Sequence, residues 1–271
     1  MRIEVPELCL VVLIGTSGSG KSTFGKRHFK PTEVISSDFC RGLVADDEND
    51  QSATSAAFAV LHFIVSKRLE AGRLTVVDAT NVRQEDRESL IAIAKEQNCL
   101  SVAIAFNLDE RICHERNKLR TDRDFGPHVI SRQAKALHRS LKGLKREGFH
   151  RNFILNSEEQ IDSVEIERVP LWTNKKHDAG PFDIIGDIHG CFDEMCDLLG
   201  SLGYLLKEDP SDPLKFSASH PEGRRALFVG DLVDRGPKTP DVLRLVMNMV
   251  GSGNALCVAG NHDVKLMRKL L

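Results

Sequence analysis

Hydrophobic positions in this chain fall into short apolar runs separated by longer stretches with helical spacing. Leu8–Ile14 is apolar throughout and ends at a glycine, the pattern of a buried strand. Lys21–Phe29 reads as a helix and Glu33–Ser36 as a short strand followed by polar residues. Ala57, Val60, Leu61, Ile64 and Leu69 recur at helical spacing in Ala53–Glu70, and Gly72 marks the stop. The alternation continues with strand Leu74–Val77, helix Glu85–Gln97, strand Leu100–Phe106 and helices Asp109–Lys118 and Val129–Lys145. Phe153–Leu155 and Val164–Val169 read as closing strands. This order predicts an α/β fold, a parallel sheet with helices on both faces.

Residues 173–181 are polar and end in Gly-Pro, so they read as a linker between a domain at 1–172 and a second one at 182–271. The second series has strands at Phe182–Ile185, Ala226–Val229 and Ala255–Val258 and helices at Asp193–Leu199 and Pro240–Val250. It runs into the start of a basic amphipathic helix. About 90 residues are few for a self-sufficient mixed sheet, so the second domain is expected to be only the first part of a larger one.

Composition narrows the class. The 271 residues are 41% hydrophobic and 28% charged, an ordinary globular balance. Net charge is −2, so any affinity for polyanions must come from local clustering. Seven scattered cysteines form no CxxC pair, the N-terminus lacks a signal pattern, and no apolar run is long enough to span a bilayer. A soluble cytoplasmic protein with no membrane partner is expected.

Gly15, Thr16, Ser17, Gly18, Ser19, Gly20, Lys21, Ser22 and Thr23 spell GxxxxGK[ST] followed by Thr, between an apolar strand and a helix. Backbone N–H groups of such a loop wrap phosphate oxygens. Lys21 would bridge the β- and γ-phosphates of ATP and the Ser22 hydroxyl would hold Mg²⁺. Asp38, just past the second strand, opens onto the same crevice and can accept the proton of an attacking hydroxyl; an N-cap or Asx-turn role explains its position equally well. Arg41 could grip an anionic acceptor. Asp78, at the end of a third strand, could orient Mg²⁺ through water or serve a turn. From Arg111 to Arg151, twelve Lys/Arg face four Asp/Glu, a local charge of +8 suited to phosphate-rich ligands. Within it Arg116, Arg120 and Arg123 would align on a helical turn and close over ATP as a lid, ended by Phe125-Gly126-Pro127.

Three further motifs each follow an apolar strand: Gly186-Asp187-Ile188-His189-Gly190, Gly230-Asp231-Leu232-Val233-Asp234-Arg235-Gly236, and Gly260-Asn261-His262-Asp263. Carboxylate, imidazole and amide oxygen at strand ends make a hard, mixed N/O environment for Mn²⁺, Fe or Zn²⁺. Asp231 could bridge a metal pair.

The GDIHG, GDLVDRG and GNHD series resembles the calcineurin-like metallophosphoesterases, and the P-loop, Asp38, Arg41 and arginine lid resemble the polynucleotide 5′-kinases. Together, in this order, they resemble the bacterial polynucleotide kinase–phosphatases of RNA end healing and repair. The resemblance implies ATP·Mg²⁺ on Lys21 and Ser22, Asp38 as general base for a 5′-hydroxyl, Arg41 on the acceptor nucleotide and Arg123 on the ATP phosphates. It implies Asp187, His189, Asp231 and Asn261 as ligands of Mn²⁺ or a similar divalent pair, Arg235 on the scissile phosphate, and His262 assisting there. The expected partner is RNA or DNA with a 5′-OH end. The family adds a ligase-type domain, and its phosphatases add His ligands after GNHD; neither is in these residues, so a complete protein would be longer and phosphatase activity of this stretch impaired. The rivals are a small-molecule P-loop kinase and a nucleotide-switched RNA-binding module. For the second domain they are a protein phosphatase and a dinucleoside polyphosphatase, which the fusion to such a kinase disfavours.

Overall fold

The computed structural model describes residues 1–119, 126–209 and 212–270, with backbone only at 208, 209 and 212–215. The chain forms two compact units, Met1–Asn174 and Lys175–Leu271. No helix among the described residues is long and apolar enough to cross a membrane.

The first unit runs β1 (Arg2–Pro6), β2 (Cys9–Gly15), α1 (Lys21–His28), β3 (Val34–Ser36), α2 (Ser37–Ala45), α3 (Thr54–Glu70), β4 (Thr75–Asp78), α4 (Gln84–Glu96), β5 (Leu100–Phe106), α5 (Glu110–Lys118), α6 (Pro127–Leu141), β6 (Arg151–Leu155), α7 (Glu158–Asp162) and β7 (Glu165–Val169). Its main sheet is parallel, in the order β3-β4-β2-β5-β6. Every residue of the central β2 is buried. Leu10, Val12 and Ile14 pack with Leu61, Val65 and Leu90 on one face, and Val11 and Leu13 with Phe24, Phe106 and Leu155 on the other. This two-sided burial explains why the strand is a continuous apolar run.

The structure departs from the sequence reading in several places. Val164–Val169 was expected to close the main sheet, but β7 pairs in parallel with β1 in a separate two-stranded sheet. β1 is hard to foresee because only Ile3 and Val5 are apolar and buried, while Arg2 and Glu4 pair with Glu167 and Arg151. The polar stretch after β3 is a helix, α2. Ser36 caps it, accepting from the N–H groups of Asp38 and Phe39 at 3.2 and 3.4 Å. The helix over 129–145 stops at Leu141, and a 3-10 turn follows at Leu144–Arg146.

One buried ion pair ties this unit together. Arg87 on α4 is 0% exposed and donates from Nε to Glu147 at 2.7 Å and from Nη1 to the Asn81 carbonyl at 2.8 Å. Asn81 in turn donates to the Leu13 carbonyl of β2 at 2.8 Å. The segment after β4 is thereby fixed against the central strand.

The second unit contains β8 (Phe182–Ile185), α8 (Phe192–Ser201), β9 (Leu205–Asp209), β10 (Asp212–Ser219), β11 (Arg225–Phe228), α9 (Thr239–Gly251), β12 (Ala255–Cys257) and α10 (Asn261–Leu270). Strands β12-β11-β8 form a parallel sheet. The antiparallel pair β9–β10 was not anticipated, since its polar composition hides the strands. Ile185, Phe228, Met195, Leu199, Leu245 and Val246 share the core on one sheet face. Ile184, Val229 and Val258 stay largely exposed.

Breaking the Arg87 pair strands a buried charge, which typically costs about 3–5 kcal/mol. Glu147→Gln is therefore expected to lower the urea midpoint of the first unit markedly. An unchanged midpoint would contradict the role given to this pair.

Candidate nucleotide cleft and metal centre

The loop after β2 begins where the strand's ladder ends: the Gly15 N–H donates to the Thr80 carbonyl at 2.9 Å. Gly18 has φ +81°, and a Cβ there would lie 2.5 Å from the Cys113 carbonyl oxygen of α5. Only glycine lets the loop lie this close to the helix. Thr16 Oγ1 contacts Cys113 Sγ at 3.1 Å, and burial pushes the Cys113 thiol up, as suits a packing role. Lys21 is buried, with Nζ donating to the Gly15 and Thr16 carbonyls at 2.9 and 2.8 Å. Its ammonium is folded over the loop, while the Ser22 and Thr23 side chains are exposed.

This loop forms one side of a cleft of about 630 Å³, within the range of small-ligand sites. Asp38 and Arg41 line the same cleft from α2, and Asp78 from the end of β4. Asp38 accepts from Arg41 Nη1 at 2.8 Å, and the same nitrogen donates to the Glu48 carbonyl at 2.7 Å. Arg41 is 5% exposed, and its buried Nε has no partner among the described residues. Asp38 is in the first turn of α2, so Ser36 takes the N-cap role considered for it.

Arg116 also lines the cleft, paired with Glu158. Arg120 and Arg123 lie outside the described residues, as does Phe125. The cationic segment is partly neutralised, because Arg151 belongs to β6 and pairs with Glu4. Gln133 was missed entirely: its Oε1 accepts from the Ser17 N–H at 2.8 Å, across 116 residues of sequence. No local signal marks such a residue on a surface helix.

In the second unit, His189, Asp231 and His262 offer ligand atoms that all lie within 4.8 Å of one another. The His189 Nδ1 is held by the Val233 carbonyl at 2.9 Å, which assigns its proton there and leaves Nε2 as a lone pair. His262 Nδ1 lies 2.8 Å from Asp234 Oδ2, and the His262 ring holds the Asp234 carboxyl below the usual range. The two rings meet edge to face at 4.9 Å. This donor set, two supported imidazoles and a carboxylate, fits a divalent metal of borderline hardness.

The other sequence candidates stand around it. Asn261 turns its amide nitrogen toward Asp231, 3.0 and 3.1 Å from the two oxygens. Asp187 is exposed and outside the three-residue group, and Arg235 is exposed beside Asp234. Asp187, His189, Asp231, Asp234 and Arg235 all have left-handed backbones, with φ between 46° and 69°. Such conformations cost about 1–3 kcal/mol each and gather at functional sites. Asp263, to which the sequence reading gave no role, clamps these turns: its carboxylate accepts from the Leu232 N–H at 3.0 Å and the Gly260 N–H at 2.8 Å. A Cβ on Gly260 would lie 2.2 Å from Asp231 Oδ1, so the third motif needs glycine there.

Comparison with known proteins agrees with this division. Residues 10–144 match the AAA domain family and residues 180–270 the calcineurin-like phosphoesterase family. Over 90 residues the chain is 49% identical to bis(5′-nucleosyl)-tetraphosphatase PrpE (asymmetrical) of Halalkalibacterium halodurans, aligning 33% of this chain with 34% of that one. The Bacillus subtilis protein of the same description is 47% identical over 89 residues, with the same shares. The chain thus spans about a third of the length of the curated relatives it matches. Among solved structures, the Pnkp1/Rnl/Hen1 RNA repair complex aligns with a TM-score of 0.44 and 14% identity, over 95% of this chain and 81% of that one. The first family implies ATP, the second divalent metal ions. The chain joins a P-loop domain of the AAA family to a calcineurin-like phosphoesterase domain.

Proposed function

We propose that the first unit transfers the γ-phosphate of ATP to the 5′-hydroxyl of a polynucleotide, and that the second hydrolyses phosphate esters at nucleic-acid ends. The observation that carries the first half is the shared cleft. The phosphate loop lines one side of it, and a carboxylate–guanidinium pair, Asp38 and Arg41, lines it from α2. In this reading Lys21 exchanges its loop carbonyls for phosphate oxygens and Ser22 holds Mg²⁺. Bound Mg²⁺ neutralises phosphate charge. Asp38 accepts the proton as the 5′-oxygen bonds to the γ-phosphorus and the bond to the ADP oxygen breaks. Arg41 keeps the Asp38 carboxylate oriented and engages the acceptor. Arg116, with Arg120 and Arg123 as the family resemblance suggests, offsets the charge on the transferring group.

In the second unit His189, Asp231 and His262, with Asp187 and Asn261 beside them, would hold Mn²⁺ or a similar divalent pair. Such a pair polarises the phosphoryl group and acidifies water. Arg235 would contact the scissile phosphate, with His262 assisting. The identity to the tetraphosphatases supports a second reading for this unit alone, hydrolysis of dinucleoside tetraphosphates.

Label transfer from γ-labelled ATP to a 5′-OH oligonucleotide tests the kinase. Asp38→Ala is expected to lower kcat by about 10²–10⁴ while ATP binding persists, and Lys21→Ala to lose transfer together with ATP affinity. Label on small hydroxyl acceptors but none on the oligonucleotide would contradict the assignment. For the second unit, Asp234→Ala removes the support of His262 and is expected to weaken Mn²⁺ binding by about 10–100-fold, read by calorimetry. Undiminished binding would contradict the ligand role of His262. Release of phosphate from 3′-phosphorylated oligonucleotides, set against cleavage of a dinucleoside tetraphosphate, decides between the two hydrolase readings.

A further inference from the structure

The cleft has a wall that neither the phosphate loop nor the Asp38–Arg41 pair explains. It comes from the 3-10 turn Gln51–Ala53 and the first turns of α3, and it presents Gln51, Thr54 and Phe58. The polar atoms of this wall are engaged locally. The Thr54 hydroxyl donates to the Gln51 carbonyl at 2.7 Å, and Gln51 Nε2 donates to the Asn49 carbonyl at 3.2 Å. A sugar or other polyhydroxylated acceptor needs open hydrogen-bond partners, which this arrangement spends on its own turn. What it offers instead is Phe58, half-buried, packed against the core and lining the cleft. The neighbouring Arg41, 5% exposed, keeps a buried Nε donor without a partner among the described residues.

We propose that this wall is the subsite for the acceptor's terminal nucleobase, which lies against the Phe58 ring, with Arg41 Nε donating to an oxygen of the same nucleotide. The inference rests on the 5′-kinase reading and gives it a substrate class: a nucleoside-ended acceptor rather than a sugar. Stacking on one aromatic face accepts any of the four bases, so the subsite confers an end requirement without a sequence requirement.

The test compares two 5′-OH oligonucleotides identical except that one carries an abasic 5′-terminal residue. Wild-type protein is expected to show an acceptor KM about tenfold to a hundredfold higher for the abasic end, the size of one base–aromatic stack. Phe58→Ala should raise the KM of the ordinary acceptor by a similar factor, leave that of the abasic acceptor within about twofold by the same argument, and leave the KM for ATP unchanged. Equal KM values for the two acceptors with wild type would overturn the subsite while leaving the kinase reading intact, as would a Phe58→Ala penalty of the same size on both. The wild-type comparison needs no variant, so it decides even if Phe58→Ala fails to fold. Absence of transfer to either acceptor by wild type would overturn both readings.

Discussion

Strand β2 sets the constraint on which the first unit depends. All seven of its residues are buried between β4 and β5, so the chain can present polar groups only where the strand ends. At Gly15 the ladder stops and the loop turns back over its own N–H groups, and Lys21 reaches over to satisfy carbonyls that the strand no longer pairs. The same arithmetic holds at β3 and β4, whose ends deliver Asp38 and Asp78 to one cleft. Asn81 and Arg87 matter because they lock the β4 end to Leu13. A reactive edge of this kind needs a rigid apolar sheet behind it.

The second unit solves a similar problem at the ends of β8, β11 and β12, with more strain. Five non-glycine residues in left-handed conformations aim their side chains or bend the chain around one small region. That arrangement persists because backbone and carboxylate partners over-determine it: Val233 fixes His189, Asp234 holds His262, and Asp263 binds two turns at once. The strain is the observation from which function is inferred.

Much of this was legible in the sequence because the relevant geometry is local. A P-loop compresses strand, turn and helix N-terminus into a few residues, and each of the three metal motifs follows an apolar run whose length announces a strand. The alternation of elements gave the parallel sheet for the same reason. The remainder depends on contacts that spacing cannot encode. Gln133 meets Ser17, and Arg87 meets Glu147, only after helices pack. β1 hides because half its residues form ion pairs, and α2 hides because its first turn is polar. Phe58 has the helical spacing of a core residue, and only the cleft distinguishes it from one.

The central claim is that the acceptor is a polymeric polyanion, and the dependence of acceptor KM on salt tests it most directly. Contacts to a single strand change log affinity by about −0.7 per phosphate against log salt, so three or more contacts give a slope of about −2 or steeper. A slope of that size for an oligonucleotide acceptor is the predicted result. A slope near zero, with transfer intact, would show that only the terminal hydroxyl group is recognised and would contradict the account.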